Sequence, residues 1–289
     1  MDVRIRIEKA LEAAVERVEV PESPPKLAAA VRYAVFPGGA RIRPRICLAV
    51  ARACGDDEPS VTDAAAASIE LVHCASLVHD DMPCFDNASI RRGRASVHAA
   101  YGESVALLAG DALIVHAFET LARTATLIPS RLIGLVRNLA QATGAPSGII
   151  SGQAWECEPQ ISLTHYHRAK TGALFAAASA AGAIAAGANA EHWRVVGAKI
   201  GEAYQVADDI QDIVADPATW GKPCGQDEAL GRPNALRELG PEGAVQRLKD
   251  LLSAAVESIP PCDGADTLRA MILAEAKRFM PKGISRVAA

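Results

Sequence analysis

The sequence predicts an all-α fold, a helical bundle built as one domain over residues 1–289. Three observations point there. Helix formers dominate while strand signals are scarce, and apolar residues recur every third or fourth position rather than every second. Hydrophobic residues make up 50% of the 289, ample for a large core in a single body. The stretch from Ala173 to Ala190 is dominated by alanine, the composition of a helix packed closely on all sides.

The elements follow in order. The N-terminal MDVRIRIEKALEAAVERV alternates charged with apolar residues and reads as an amphipathic helix, not as a signal peptide, which needs an uninterrupted apolar run. Ser60 followed by Asp63 resembles a capping box, and the helix it opens runs through Ile69 to Val78 until Pro83 stops it. Ala173 to Ala190 is about long enough to cross a bilayer. Its low bulk and its glycines at Gly172, Gly182 and Gly187 fit a buried helix better, so no membrane span is expected. A further long helix begins near Asn189, carries Trp193, Val196, Ile200 and Tyr204 inward, and ends before Pro217. The segment after it, PATWGKPCGQDEALGRPNALRELG, is too rich in glycine and proline to be helical through its first half, and long irregular loops in compact domains are usually functional.

Charge and cysteine content narrow the setting. A net charge of −4 argues against a nucleic-acid partner, which requires a basic surface. The 7 cysteines are odd in number and lack CxxC spacing, so neither a zinc site nor a disulfide framework is indicated; free thiols in a cytoplasmic protein are expected.

Two aspartate clusters carry the chemistry: DDMPCFD from Asp80 to Asp86, and DDIQD from Asp208 to Asp212. Clustered carboxylates repel one another unless a cation neutralises them, and Mg2+ takes oxygen ligands that it shares with substrate phosphates. The pairing of two such clusters points to a diphosphate. Asp208 and Asp212 stand four apart and project from one helical face. Asp80 and Asp86, six apart, share no face, so the break at Pro83 must return Asp86 toward the metal. Arg91 and Arg92 follow the first cluster, and guanidinium groups bind phosphate oxygens in a bidentate fork. PGGARIRP sets two glycines ahead of Arg41 and Arg43, and Lys170 and Thr171 precede the alanine-rich helix. Lys222, Asp227 and Arg232 lie in the glycine- and proline-rich loop.

The motifs GGARIRP at 38–44, LVHDDMPCFD at 77–86 with RRG at 91–93, GDAL at 110–113, KTGALF at 170–175, YQVADDIQD at 204–212 and GKPCGQD at 221–227 together resemble the trans-isoprenyl diphosphate synthases. GGARIRP and GQDEALGRPNA are most similar to the geranylgeranyl diphosphate synthases of carotenoid- and bacteriochlorophyll-making phototrophic bacteria. The resemblance implies an all-α homodimer with a central substrate cavity. It implies Asp80, Asp81 and Asp86, facing Asp208, Asp209 and Asp212, as holders of about three Mg2+ against an allylic diphosphate. Arg91, Lys170, Thr171, Gln205 and Lys222 match binders of that diphosphate, and Arg43, His73 and Arg92 match the isopentenyl diphosphate site. His73 precedes Asp80 by seven residues, two helical turns, and shares its face.

Two departures stand out. Ala40 replaces the lysine usual after the paired glycines, removing a cation from the isopentenyl site; either Arg41 or Arg45 substitutes for it or binding there is weaker. Asn87, Ala88 and Ser89 stand where many relatives carry further aspartates. Chain length is expected to be set by a tunnel floor, and Ala75 and Ser76 lie roughly 6 to 8 Å below Asp80 along a helix. Relatives that stop at the farnesyl stage often carry a bulky aromatic at the position of Ala75, so the small residue favours the geranylgeranyl product; Phe118 is the alternative floor.

The implied reaction needs no nucleophilic side chain: the diphosphate leaves, an allylic cation forms, and the double bond of isopentenyl diphosphate attacks it. Competing readings are a farnesyl diphosphate synthase, a non-catalytic partner subunit of a prenyl synthase, and a class I terpene cyclase. The cyclase normally has Ser or Thr where Asp212 stands and Glu where Asp216 stands. A metal-dependent phosphohydrolase, suggested by His79 and Asp80, lacks the further histidines in order.

Overall fold

The computed structural model describes residues 2–36, 38–124, 126–160, 162–214 and 235–279. Helices account for nearly all the regular structure, as expected. Helix α1 (Val3–Val15) is amphipathic: Asp2 caps it by accepting from the Arg4 N–H at 2.7 Å, and Ile7, Leu11, Ala14 and Val15 turn inward. Its Arg6 also faces inward, held by Asp56 at 3.0 Å and by Asp63. Helices α2 (Pro25–Val35) and α3 (Ile42–Ala53) follow, separated by the paired-glycine segment.

Helix α4 (Pro59–Asp80) is the central element, buried along most of its length from Val61 to Val78. The expected capping box is not formed. Glu58 is the N-cap, without a side-chain cap bond, and Pro59 supplies the first turn's fixed φ. Asp63 is drawn away because burying Arg6 beside it demands a counter-charge, which outweighs a local cap.

A two-stranded hairpin, β1 (Ile90–Arg91) with β2 (Arg94–Ala95), interrupts the helices. Its two-residue loop places Arg92 at φ 54° and Gly93 at φ 76°, both positive, as a twisted hairpin of this length requires. Helix α5 (Val97–Tyr101) leads into α6 (Glu103–Ala122), which packs along α4. Then come α7 (Pro129–Thr143), α8 (Ile149–Ala154), α9 (Leu163–His167) and α10 (Ala173–Ala185). Helix α11 (Ala190–Val214) starts where expected, with Asn189 Oδ1 accepting from the Glu191 N–H at 2.9 Å, and Trp193, Val196 and Ile200 are buried. Helices α12 (Ala235–Glu257) and α13 (Ala265–Phe279) complete the described chain. One apolar core runs from Ile7 to Ile272.

The alanine-rich stretch is not one span. Helix α10 ends at Ala185, and Gly187 at φ 73° turns the chain into α11. Among the described residues two helices are long and apolar enough to cross a membrane, α4 and α6, whose apolar windows are 72% and 39% buried within the fold. Helix α10 is instead enclosed by α3, α7 and α11, with its alanines from Ala177 to Ala185 largely buried. Gly182 permits this approach: a Cβ there would overlap the Cys47 carbonyl oxygen of α3. Gly182→Ala is expected to cost about 1–3 kcal/mol through overpacking, read as a lowered midpoint of thermal unfolding.

Candidate active site

Helix α4 delivers Asp80 in its last turn, and Asp81 is its C-cap. The chain then doubles back. The Asp86 N–H donates to the Asp80 carbonyl at 3.0 Å, and the Ala88 N–H to that of Asp81 at 3.0 Å. This turn brings Asp86 beside Asp80, as their six-residue spacing demanded. The third member of the group is Glu156, in a 3-10 turn (Trp155–Cys157) after α8. Asp80, Asp86 and Glu156 are half-buried and offer carboxylate oxygens within 4.8 Å of one another. This hard, all-oxygen donor set suits Mg2+.

Asp81 lies apart from that group. Its carboxylate is buried and accepts Arg91 Nε at 2.8 Å from both oxygens and Nη2 at 2.6 Å. The same Nη2 lies 3.7 Å from Asp80. Burial opposes the Arg91 charge, but the bonds to Asp81 outweigh it and raise the guanidinium's pKa.

Lys170 and Thr171 sit in a π-helical turn (Arg168–Gly172) between α9 and α10. Such wide turns recur at functional sites because they re-aim side chains within a helix. Gly152 of α8 lets the turn lie close, since a Cβ there would overlap the Lys170 backbone. Lys170 Nζ donates to Asp80 at 3.2 Å and to Glu156. The next residue points the other way along the site: the Thr171 hydroxyl donates to Gln205 at 2.6 Å, and Gln205 Nε2 donates to Asp209 at 2.8 Å. Asp209 is buried, and its other oxygen accepts the Ala235 N–H at 2.9 Å, tying down the start of α12. Adjacent residues of one turn thus link the first aspartate cluster to the second. Asp208 is half-buried beside Asp209 on α11. Asp212 belongs to the same helix, but its side chain, like all of Lys222, Asp227 and Arg232, lies outside the described residues.

The second predicted group also converges. Arg43 Nη1 lies 3.3 Å from His73 Nε2, and its guanidinium stacks 4.4 Å from the Phe175 ring centroid. Arg43 Nε is buried and has no hydrogen-bond partner among the described residues. Arg92, at the hairpin tip, lays its guanidinium against Gly39 of the paired-glycine segment. His73 has its pKa lowered well below the ordinary value, first by burial and then by Arg43 and Arg92. Arg41 does not replace the cation absent at Ala40: its side chain is enclosed between Glu8 and Glu70. Arg45 is half-buried in α3.

Ala75 is buried on α4, and Ser76 is half-buried, its hydroxyl bonded to the His73 carbonyl at 2.8 Å. Phe118 packs from α6 against the same core. The residue that sequence reasoning missed is Glu156. It belongs to no acid cluster, and its ties to Gln153 at 3.0 Å, Tyr166 at 2.6 Å and Lys170 form only on folding. Its sole local signal is the Gln153-to-Glu156 spacing on a helix end.

Comparison with known proteins agrees with this geometry. The family model described as polyprenyl synthetase matches residues 24–259. The chain is 58% identical over 280 residues to the geranylgeranyl diphosphate synthase of Cereibacter sphaeroides, covering 97% of each. Among solved structures, an apo FPP/GFPP synthase from Zymomonas mobilis superposes with a TM-score of 0.81 at 30% identity, over 95% of this chain and 97% of that one. A geranyltransferase from Helicobacter pylori, complexed with magnesium and isoprenyl diphosphate, gives 0.79 at 29% identity, over 94% of this chain and 96% of that one. Matched in sequence along almost its whole length and in fold across its helices, the chain belongs to the polyprenyl synthetase family.

Proposed function

We propose that the chain is a prenyltransferase that joins isopentenyl diphosphate to an allylic diphosphate and makes geranylgeranyl diphosphate, as a single domain over residues 1–289. One observation carries the reading: the polar chain from Asp80 through Lys170 and Thr171 to Gln205 and Asp209, which sets two acidic walls on either side of one cation-bearing turn. Carboxylates so placed are useful only where a multiply charged anion and its counter-ions enter between them.

Magnesium, about three ions per site, supplies Lewis-acid neutralisation of the departing diphosphate. Asp80, Asp86 and Glu156 would hold it on one wall, and Asp208, Asp209 and Asp212 on the other. Asp81 serves chiefly by fixing Arg91 through Nε and Nη2, and the positive charge of that guanidinium is assigned to the same phosphate. Lys170 exchanges its carboxylate contacts for phosphate oxygens, and Thr171 and Gln205 orient beside it. Lys222 is assigned to the same diphosphate by its motif. Arg43, His73 and Arg92 bind the second diphosphate, with His73 neutral and so able to accept as well as donate a hydrogen bond.

The similarity to geranylgeranyl diphosphate synthases and the small residue at Ala75 favour the longer product over the farnesyl one. A homodimer is part of the proposal: α6 exposes Leu107, Leu108 and Val115, and α7 exposes Ile133, an apolar face that a second copy would cover. The burial of 72% of the apolar window of α4 supports reading it as a core helix rather than a membrane span, and a cytoplasmic location is part of the proposal.

Purified chain supplied with Mg2+, isopentenyl diphosphate and farnesyl diphosphate should release geranylgeranyl diphosphate; cyclic hydrocarbon or inertness would overturn the proposal. Asp80→Ala and Asp208→Ala should each lower kcat by at least about a hundredfold, the scale of losing one preorganised electrostatic contact, with unfolding midpoints near that of the native chain. Ala75→Tyr should shift the product toward farnesyl diphosphate, read by chain-length chromatography; an unchanged product would move the floor toward Phe118. His73 carries a depressed folded pKa, so its contribution to stability is full above the unfolded value of about 6.5 and declines as pH falls below it. His73→Gln should therefore flatten the acid side of the melting temperature against pH.

A further inference from the structure

Arg41 is in an unusual position for a surface-loop arginine. It takes the left-handed φ of 52° as the N-cap of α3, the helix that carries Arg43. Its side chain is 2% exposed. The guanidinium folds back beneath Gly38, where any Cβ would overlap it. Four donor contacts hold it: Nε to Glu8 at 3.0 Å, Nη2 to Glu8 at 3.2 Å, Nη2 to the Val35 carbonyl at 2.9 Å and Nη1 to Glu70 at 2.9 Å. Arg41 therefore joins α1, the end of α2, the paired-glycine turn and α4.

The placement of Glu70 gives this cluster its meaning. Glu70 is buried on α4, three residues before His73 and so on the same helical face. Arg43, two residues after Arg41, meets His73 itself at 3.3 Å. The turn is thus pinned to the stretch of α4 with which its own functional arginine must align. Buried ion pairs are poor sources of stability, because desolvating the charges offsets their attraction, and a well-packed apolar cluster would do as well. What the charges add is direction, since a guanidinium fork engages its partners in a narrow range of geometries. With Ala40 offering no cation, the site depends on where Arg43 and Arg92 stand.

We infer that Arg41 is a positioning residue: with Glu8 and Glu70 it holds the Gly38–Gly39 turn so that Arg43, His73 and Arg92 converge on one diphosphate. The inference rests on the assignment of those three residues to isopentenyl diphosphate. It is tested on the full chain with Mg2+, by steady-state kinetics in which each substrate is varied in turn, together with thermal unfolding. Arg41→Lys keeps the charge and loses the fork; it should raise KM for isopentenyl diphosphate about tenfold, or roughly 1.4 kcal/mol, while KM for the allylic substrate stays within about twofold. Because Arg41→Met would strand a buried Glu70, the double variant Arg41→Met with Glu70→Met is the folded comparison. It should melt near the native temperature and show the same selective rise. Equal rises in both KM values, or none in either variant, would overturn the inference, provided Arg43→Lys does raise KM for isopentenyl diphosphate. If Arg43→Lys leaves that KM unchanged, the isopentenyl assignment itself fails and takes the inference with it.

Discussion

Everything in this molecule is arranged around the cost of bringing carboxylates together inside an apolar bundle. Like charges at helix ends repel, and the low-dielectric surroundings strengthen the repulsion. The structure answers with cations drawn from distant segments: Lys170 beside Asp80 and Glu156, and Arg91 around Asp81. These pairings offset the repulsion while the oxygens of Asp80, Asp86 and Glu156 stay within 4.8 Å of one another, a donor set that suits Mg2+. The π-turn at Arg168–Gly172 carries two of the links, Lys170 to Asp80 and Thr171 to Gln205.

The bundle serves this site through unusually small side chains. Alanine and glycine along α10, with Gly182 against α3, draw helices close enough for side chains on separate elements to meet across short distances. Ala75 continues the pattern below Asp80 on α4. Low bulk here is a packing device, and Ala75 is itself part of the buried core.

The departures from the family pattern have unequal consequences. With alanine at position 40, the second group consists of the Arg43–His73 contact and the Arg92 guanidinium lying on Gly39. Arg41, adjacent in sequence and of the right charge, is committed to Glu8 and Glu70 and unavailable to a ligand. Replacing the extra aspartates of the first motif with Asn87, Ala88 and Ser89 is milder, because Asp86 already returns to Asp80 through the turn's backbone bonds.

Short-range information was sufficient for the helical class, the long α11 with its Asn189 start, and the return of Asp86 after the Pro83 break. Each depends on periodicity, on a cap, or on the fixed φ of proline, all of which act within a few residues of the chain. Partner choice was not legible in this way. That Asp63 abandons a cap for Arg6, that Asp81 turns to Arg91, that Glu156 joins Asp80 and Asp86, and that Arg41 is buried are decisions between groups up to tens of residues apart. Electrostatic pairing in a low-dielectric interior is decided by which charges the packed helices bring within a few ångströms, and only the tertiary structure sets those distances.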